Sequence, residues 1–193
     1  MRVIGGEARG RPLKAALPEG VRPTSDRARE AIFDVLASID AIAGADVIDC
    51  FAGSGALGIE AISRGAASAL FLDNDRAAVT ATEANLARVG YTGRNGIRVV
   101  RSETLGFLAT SRAHFDVALV DPPYRFAEWP LLLGRLRAGI AVLESDAEIK
   151  LPERFAHYRS YRHGGTLITV VTEVTTPNEF EGNTEGQGEG ASA

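Results

Sequence analysis

The stretch Asp46-Val47-Ile48-Asp49-Cys50-Phe51, running directly into Ala52-Gly53-Ser54-Gly55-Ala56-Leu57-Gly58, decides the fold. A short apolar run that is polar only at its ends reads as a strand buried on both faces. Gly53, Gly55 and Gly58 then spell G-x-G-x-x-G, and helical periodicity follows from Ala56, so strand passes to helix through a glycine turn. Working outward, the alternation repeats. Strands are predicted over 46–51, 68–73, 97–102, 115–121 and 140–145, with helices over 56–64, 75–89, 103–110 and 127–137. Such βαβ units imply a doubly wound α/β domain with a mostly parallel sheet. FAHYRSYR and TLITVVTEV, separated by His163-Gly164-Gly165, predict a C-terminal antiparallel hairpin. Upstream, RVIGGEARGRPLK predicts a small β-ribbon or extended arm. Pro23-Thr24 opens a helix to about Ser38, with Thr24 or Ser25 as its cap. No internal repeat is visible. The expected organisation is an N-terminal ribbon and helix over 1–40, a nucleotide-binding domain over 41–175 and a tail over 176–193. That tail is too rich in Gly, Glu, Asn and Ser to offset its ordering entropy and is expected to be disordered.

Composition narrows the function classes. With 193 residues, 45% hydrophobic and 24% charged, the chain has the balance of a globular protein with one principal core. A lone cysteine, Cys50, excludes an internal disulfide framework. The start lacks the apolar stretch of a signal peptide, and no run approaches a bilayer span, so a soluble cytoplasmic protein is expected. The three histidines show no metal-ligand spacing, and no metal is expected. The net charge of −4 hides an asymmetry. Residues 1–30 carry seven basic and four acidic side chains, whereas from Glu173 onward there are five glutamates and no base. A phosphate-bearing partner would prefer the N-terminal end.

Two sites carry chemistry. Asp73 closes the second predicted strand 20 positions beyond Gly53, where a carboxylate can accept hydrogen bonds from a ribose diol. Asp49 would set a negative charge beside a dinucleotide phosphate, which is electrostatically wrong; it suits a cationic ligand such as S-adenosylmethionine. Cys50 between them reads as a small buried apolar residue. Asp121-Pro122-Pro123-Tyr124 ends the fourth strand on the same rim. Its prolines fix the backbone so that the Asp121 carboxylate and the Pro122 carbonyl can accept the two protons of one planar amino group, while Tyr124 stacks on the attached ring. Phe126 and Trp129, just beyond, are expected to serve helix packing rather than to cover a base.

D-x-F-x-G-x-G together with D-P-P-Y resembles the class I S-adenosylmethionine-dependent methyltransferases that modify exocyclic amino groups. RVIGGEARGRPL (2–13), RPTSDRAREAIFDVL (22–36) and DCFAGSGALGIEAISRGA (49–66) narrow the resemblance to the RsmD family, which methylates guanine N2 in small-subunit (16S) ribosomal RNA. It implies a seven-stranded Rossmann-like sheet with a methyltransferase domain over 41–175 and an RNA-facing N-terminal arm. By the same resemblance Asp121, Pro122 and Tyr124 would be catalytic. Thr24, Asp49, Gly53, Gly55, Asp73, Glu103, Thr104 and Asp121 would hold the cofactor, although Glu103 stands where the family commonly has Asp or Asn. Arg27 lies with Thr24 in the segment expected over the cofactor. Arg2, Arg9, Arg11 and Arg22 would contact RNA phosphates. The expected partner is ribosomal RNA in an assembled or partly assembled small subunit, bound by a monomer. Competing readings are N6-adenine methylation of DNA or RNA, glutamine methylation, which Asp121 in place of Asn disfavours, an NAD-dependent oxidoreductase, and a non-catalytic RNA-binding module.

Overall fold

The computed structural model describes residues 1–14 and 26–174, so the Thr24 and Arg22 assignments and the tail lie outside the described residues. The elements run α1 (Asp26–Ser38), β1 (Asp46–Asp49), α2 (Ala56–Ser63), β2 (Ser68–Asp73), α3 (Arg76–Arg88), β3 (Ile97–Arg101), α4 (Thr104–Thr110), β4 (Phe115–Val120), α5 (Trp129–Arg135), β5 (Ala138–Ser145), β6 (Phe155–His163) and β7 (Thr166–Glu173). They form one seven-stranded sheet in the order β3-β2-β1-β4-β5-β7-β6. The first five strands are parallel; β7 runs antiparallel to both β5 and β6.

Strand alternation divides the core into two layers. On one face Val47, Phe71, Val117, Leu119, Ile168 and Val170 pack with Phe33 of α1, Ile59 and Ile62 of α2 and Leu86 of α3. On the other, Ile48, Leu72, Ala118, Val120 and Leu143 meet Leu105 and Leu108 of α4 and Leu132 and Leu133 of α5. Burial on both sides is why the central strands read as apolar runs rather than as alternating ones.

The N-terminal arm is the expected small ribbon, docked as a hook on α2. An antiparallel bridge joins Arg2 and Pro12, with Val3 N–H donating to the Arg11 carbonyl, Gly10 N–H to Val3 and Leu13 N–H to Met1, and the backbone between them also bonds to α2. Glu60, fully buried, accepts from the Ile4 and Gly5 N–H groups at 2.7 Å each and from Arg64 Nε at 2.8 Å. Ser63 Oγ accepts from Ala8 N–H at 2.9 Å and donates to the Gly5 carbonyl at 2.6 Å. Gly6 has φ +72°, and a Cβ there would fall 1.7 Å from the Ser63 carbonyl oxygen, so no other residue fits. Val3, Ala8 and Leu13 are thereby buried in the same core layer as α1 and α2. RVIGGEARG and GIEAISRG are thus two halves of one contact.

Candidate active site

The sheet order reverses between β1 and β4, and ligands in such sheets bind outside the carboxyl ends of the strands at that point. Asp49 ends β1, Asp121 immediately follows β4 and Asp73 ends β2. Three carboxylates therefore face one rim.

Asp49 is 1% exposed. Its Oδ2 accepts from the Gly58 N–H at 3.0 Å, while Oδ1 is buried with no partner of hydrogen-bond geometry. Burial pushes its carboxyl from the ordinary 3.8 up to about 7; the charges of Asp121 and Asp73 push the same way, against the Gly58 and Phe51 amides. A buried carboxylate with an unused oxygen, beside two further acids, is a cradle for a cation. Burial also pushes the Cys50 thiol up, with the Asp49 charge adding to it, which leaves a packing residue rather than a nucleophile.

The glycine turn is held from behind by α3. Thr82 Oγ1 donates to the Gly53 carbonyl at 3.1 Å, and Asn85 Nδ2 donates to the Ser54 carbonyl at 2.8 Å. Asn85 also donates to the Lys14 carbonyl and accepts from its N–H, so one buried amide ties the turn to the end of the N-terminal hook. Gly53 and Gly55 both have positive φ, at 56° and 76°. A Cβ at Gly55 would come within 2.8 Å of Thr82 Cγ2, whereas at Gly53 it would meet nothing within 4 Å. Gly53 borders open space, so its backbone is approachable from outside the turn. Gly58, the third glycine of the motif, lies against the Phe71 ring and serves helix–sheet packing.

Asp73 is half-buried, its Oδ2 accepting from the Gly53 N–H at 2.8 Å and its Oδ1 from the Asp75 N–H at 2.9 Å. Each oxygen keeps a further lone pair for a diol. Glu103 and Thr104 are engaged within the protein. The Glu103 carboxylate caps α4, accepting from Leu105 and Gly106 N–H groups at 2.9 and 2.5 Å, and the buried Thr104 hydroxyl donates to the Cys50 carbonyl. Thr104 thereby ties the start of α4 to the residue that follows β1.

Beyond Asp121 the chain turns sharply. Phe126 N–H donates to the Pro123 carbonyl at 3.2 Å, and Arg125 holds φ +67°, a left-handed conformation costly for a side chain of its kind. The turn leaves Tyr124 at 69% exposure. Phe126 stacks edge-on against Phe51 at 5.5 Å and against Trp129 at 5.3 Å, which fastens this loop to the end of β1. Both aromatics are partly buried and pack in this cluster.

Of the arginines assigned to RNA, Arg9 is exposed without an ion pair among the described residues. Arg2, 69% exposed, lies 4.0 Å from Asp26. Arg11 is bonded to the Val89 carbonyl past the end of α3. Arg27 is exposed on the first turn of α1. Glu60, Ser63, Thr82 and Asn85 escaped sequence reasoning. Their signal is a polar residue within an otherwise apolar helix face, at i and i+3 in both α2 and α3. No group of three metal-binding side chains occurs among the described residues, nor a helix there long and apolar enough to cross a membrane.

The family model described as "Conserved hypothetical protein 95" matches residues 1–173. The Escherichia coli K12 protein named "Ribosomal RNA small subunit methyltransferase D" is 45% identical over 125 residues, which cover 65% of this chain and 61% of that protein's length. Bacillus subtilis YlbH is 35% identical over 161 residues, 79% of this chain and 86% of the relative. Among solved structures, yhhF of Escherichia coli superposes with a TM-score of 0.79 at 34% identity, over 91% of this chain and 99% of that one. A hypothetical protein of Thermus thermophilus does so with a TM-score of 0.75 at 33% identity, over 90% and 99%.

Proposed function

The chain belongs to the family described as conserved hypothetical protein 95, and from that premise we propose that it transfers a methyl group from S-adenosylmethionine to the exocyclic N2 amino group of a guanine in small-subunit ribosomal RNA. The observation that carries the reading is the meeting of Asp49 and Asp121 on adjacent strand ends at the sheet's reversal point, close enough for one charge to act on the other. Three acids on one rim suit a ligand bearing an ammonium and a sulfonium, and disfavour the phosphates of a dinucleotide. Asp49 and the open face of Gly53 would hold the methionine end and Asp73 the ribose; Gly55 shapes the turn. When bound, the cofactor supplies an electrophilic methyl group.

The protein's part in the reaction is positioning. The Asp121 carboxylate and the Pro122 carbonyl each accept one N–H of the amino group, which turns the nitrogen lone pair toward the methyl donor. Tyr124, exposed beside them, offers its ring to a base that has left its stack, as enzymes acting on bases require. Arg9 and Arg2, both exposed on the N-terminal segment, would take phosphates, contacts that position without reading sequence. The acceptor is read as ribosomal RNA folded in a small-subunit particle, since a chain of net charge −4 has little general attraction for RNA. Asp121→Ala abolishes methyl transfer while S-adenosylhomocysteine, followed by titration calorimetry, still binds. Turnover retained by that variant would overturn the assignment.

A further inference from the structure

We propose that the outer edge strand β6 is a second RNA-contact surface, in which Arg159 and Arg162 take phosphates and Tyr158 stacks on a base of the RNA that presents its guanine at Asp121. The identity of the acceptor rests on the reading above; the surface is tested separately.

Composition singles out this hairpin. From Arg154 to Thr172 there are three arginines, two histidines and no acid, in a chain of net charge −4. Exposure follows. Ala156 through Ser160 and Arg162 are exposed, and Tyr158 is 47% open to solvent. Arg154 is neutralised by Glu173 at 2.6 Å, but neither Arg159 nor Arg162 has an ion pair among the described residues, although Asp146 and Glu148 lie in the loop before the strand.

Register places the C-terminal end of the strand beside the site, with Arg159 and Tyr158 about 10–13 Å further from that rim. Val120 stands opposite Leu143 of β5, and two residues further along β5 Ser145 stands opposite Leu167 of β7, which faces Arg162. Arg162 is thus level with Pro122, three strand spacings or about 14 Å away across the sheet. One RNA segment can reach both. Arg159 is three residues back, so the two guanidinium groups lie on opposite faces and straddle the edge. Between His157 and Arg159 the ladder slips by one residue at Tyr158. Such bulges re-aim a side chain, and here the one released is aromatic. Edge strands often carry charge merely to prevent pairing with other chains. That role is indifferent to sign and is not served by an exposed tyrosine. Arginines following an exposed ring along a free edge give the mix of positive charge and stacking surface that binds single-stranded segments.

The test measures binding of the full chain to small ribosomal subunits that lack their own base methylation, as salt is varied. Combining Arg159→Ala with Arg162→Ala weakens binding about tenfold. It also reduces the slope of log K against log salt by about 1.5, from two lost contacts at roughly 0.7–0.9 each. Lysine at both positions restores the slope, and Tyr158→Ala weakens binding without changing it. S-adenosylhomocysteine affinity and Tm stay at wild-type values, and KM for the acceptor rises with kcat held. Unchanged affinity and slope in the double alanine variant overturn the proposal, whether or not methyl transfer to RNA is observed. Lost RNA binding in a protein that methylates no RNA would leave this surface standing and remove the reading of the active site.

Discussion

Replacing Asp49 by Asn should make the ligand-free protein more stable and its cofactor site worse. The carboxyl is buried, accepts one hydrogen bond from Gly58 and leaves Oδ1 without a partner. Its rise from 3.8 to about 7 means that the ionised form costs the folded state about 4 kcal/mol. The sign follows from the direction. A raised carboxyl contributes most below the unfolded value, so stability declines as pH rises from about 4 to 7 and is level above that. Asparagine removes this dependence. Its carbonyl keeps the Gly58 bond, while its amide nitrogen takes the partnerless position at a cost of about 1–3 kcal/mol. The net gain at pH 8 is about 2 kcal/mol, or a Tm higher by roughly 4–8 °C for a chain of this size. Cofactor binding moves the other way. In the wild-type protein the ionised fraction of Asp49 climbs from about one-tenth at pH 6 to about nine-tenths at pH 8, so affinity for S-adenosylmethionine rises up to about tenfold across that interval. The variant binds weakly and with no such rise. Denaturation from pH 4 to 8 and calorimetric titration at pH 6, 7 and 8 measure both. An Asp49→Asn variant no more stable at pH 8 than wild type, and binding the cofactor equally well, would refute the reasoning.

Other predictions concern the contacts that hold the site in place. Glu60→Ala leaves the Ile4 and Gly5 N–H groups and Arg64 without their acceptor, and should lower stability by about 3–5 kcal/mol in urea denaturation. Gly6→Ala is expected to free the hook from Ser63, so that limited proteolysis cuts the N-terminal segment in the variant and spares it in the wild type. Gly55→Ala combines a left-handed backbone with a Cβ 2.8 Å from Thr82. It should weaken S-adenosylhomocysteine binding at least tenfold by calorimetry, and Thr82→Ser, which removes the obstructing Cγ2, should restore part of the loss.

Much of this architecture was legible in the sequence because the central strands are buried on both faces. Five apolar runs separated by helical periodicity admit little besides a parallel sheet, and His163-Gly164-Gly165 marks the hairpin turn between β6 and β7. Boundaries moved where local chemistry intervened. The strand expected over 46–51 is regular only over Asp46–Asp49, although Cys50 N–H still donates to the Leu119 carbonyl and Ala52 N–H to the Leu72 carbonyl before the glycine loop begins. The helix expected from 127 starts at Trp129, because the preceding residues close the turn after Asp121. The ribbon expected at the N-terminus is present, but no local pattern reveals its docking: its acceptors, Glu60 and Ser63, lie some 55 residues away in α2. The site divides in the same manner. Asp49, Gly53, Asp73 and Asp121 stand on strand ends or in the turn that follows, and spacing alone brings them to one rim. Thr82 and Asn85 support that rim from a helix face whose partner only the fold discloses.

The most direct test of the account is methyl transfer from labelled S-adenosylmethionine to small ribosomal subunits that lack their own base methylation, followed by nucleoside analysis of the RNA. Label is expected in N2-methylguanosine. Label in another nucleoside, or in protein with none in RNA, would contradict it.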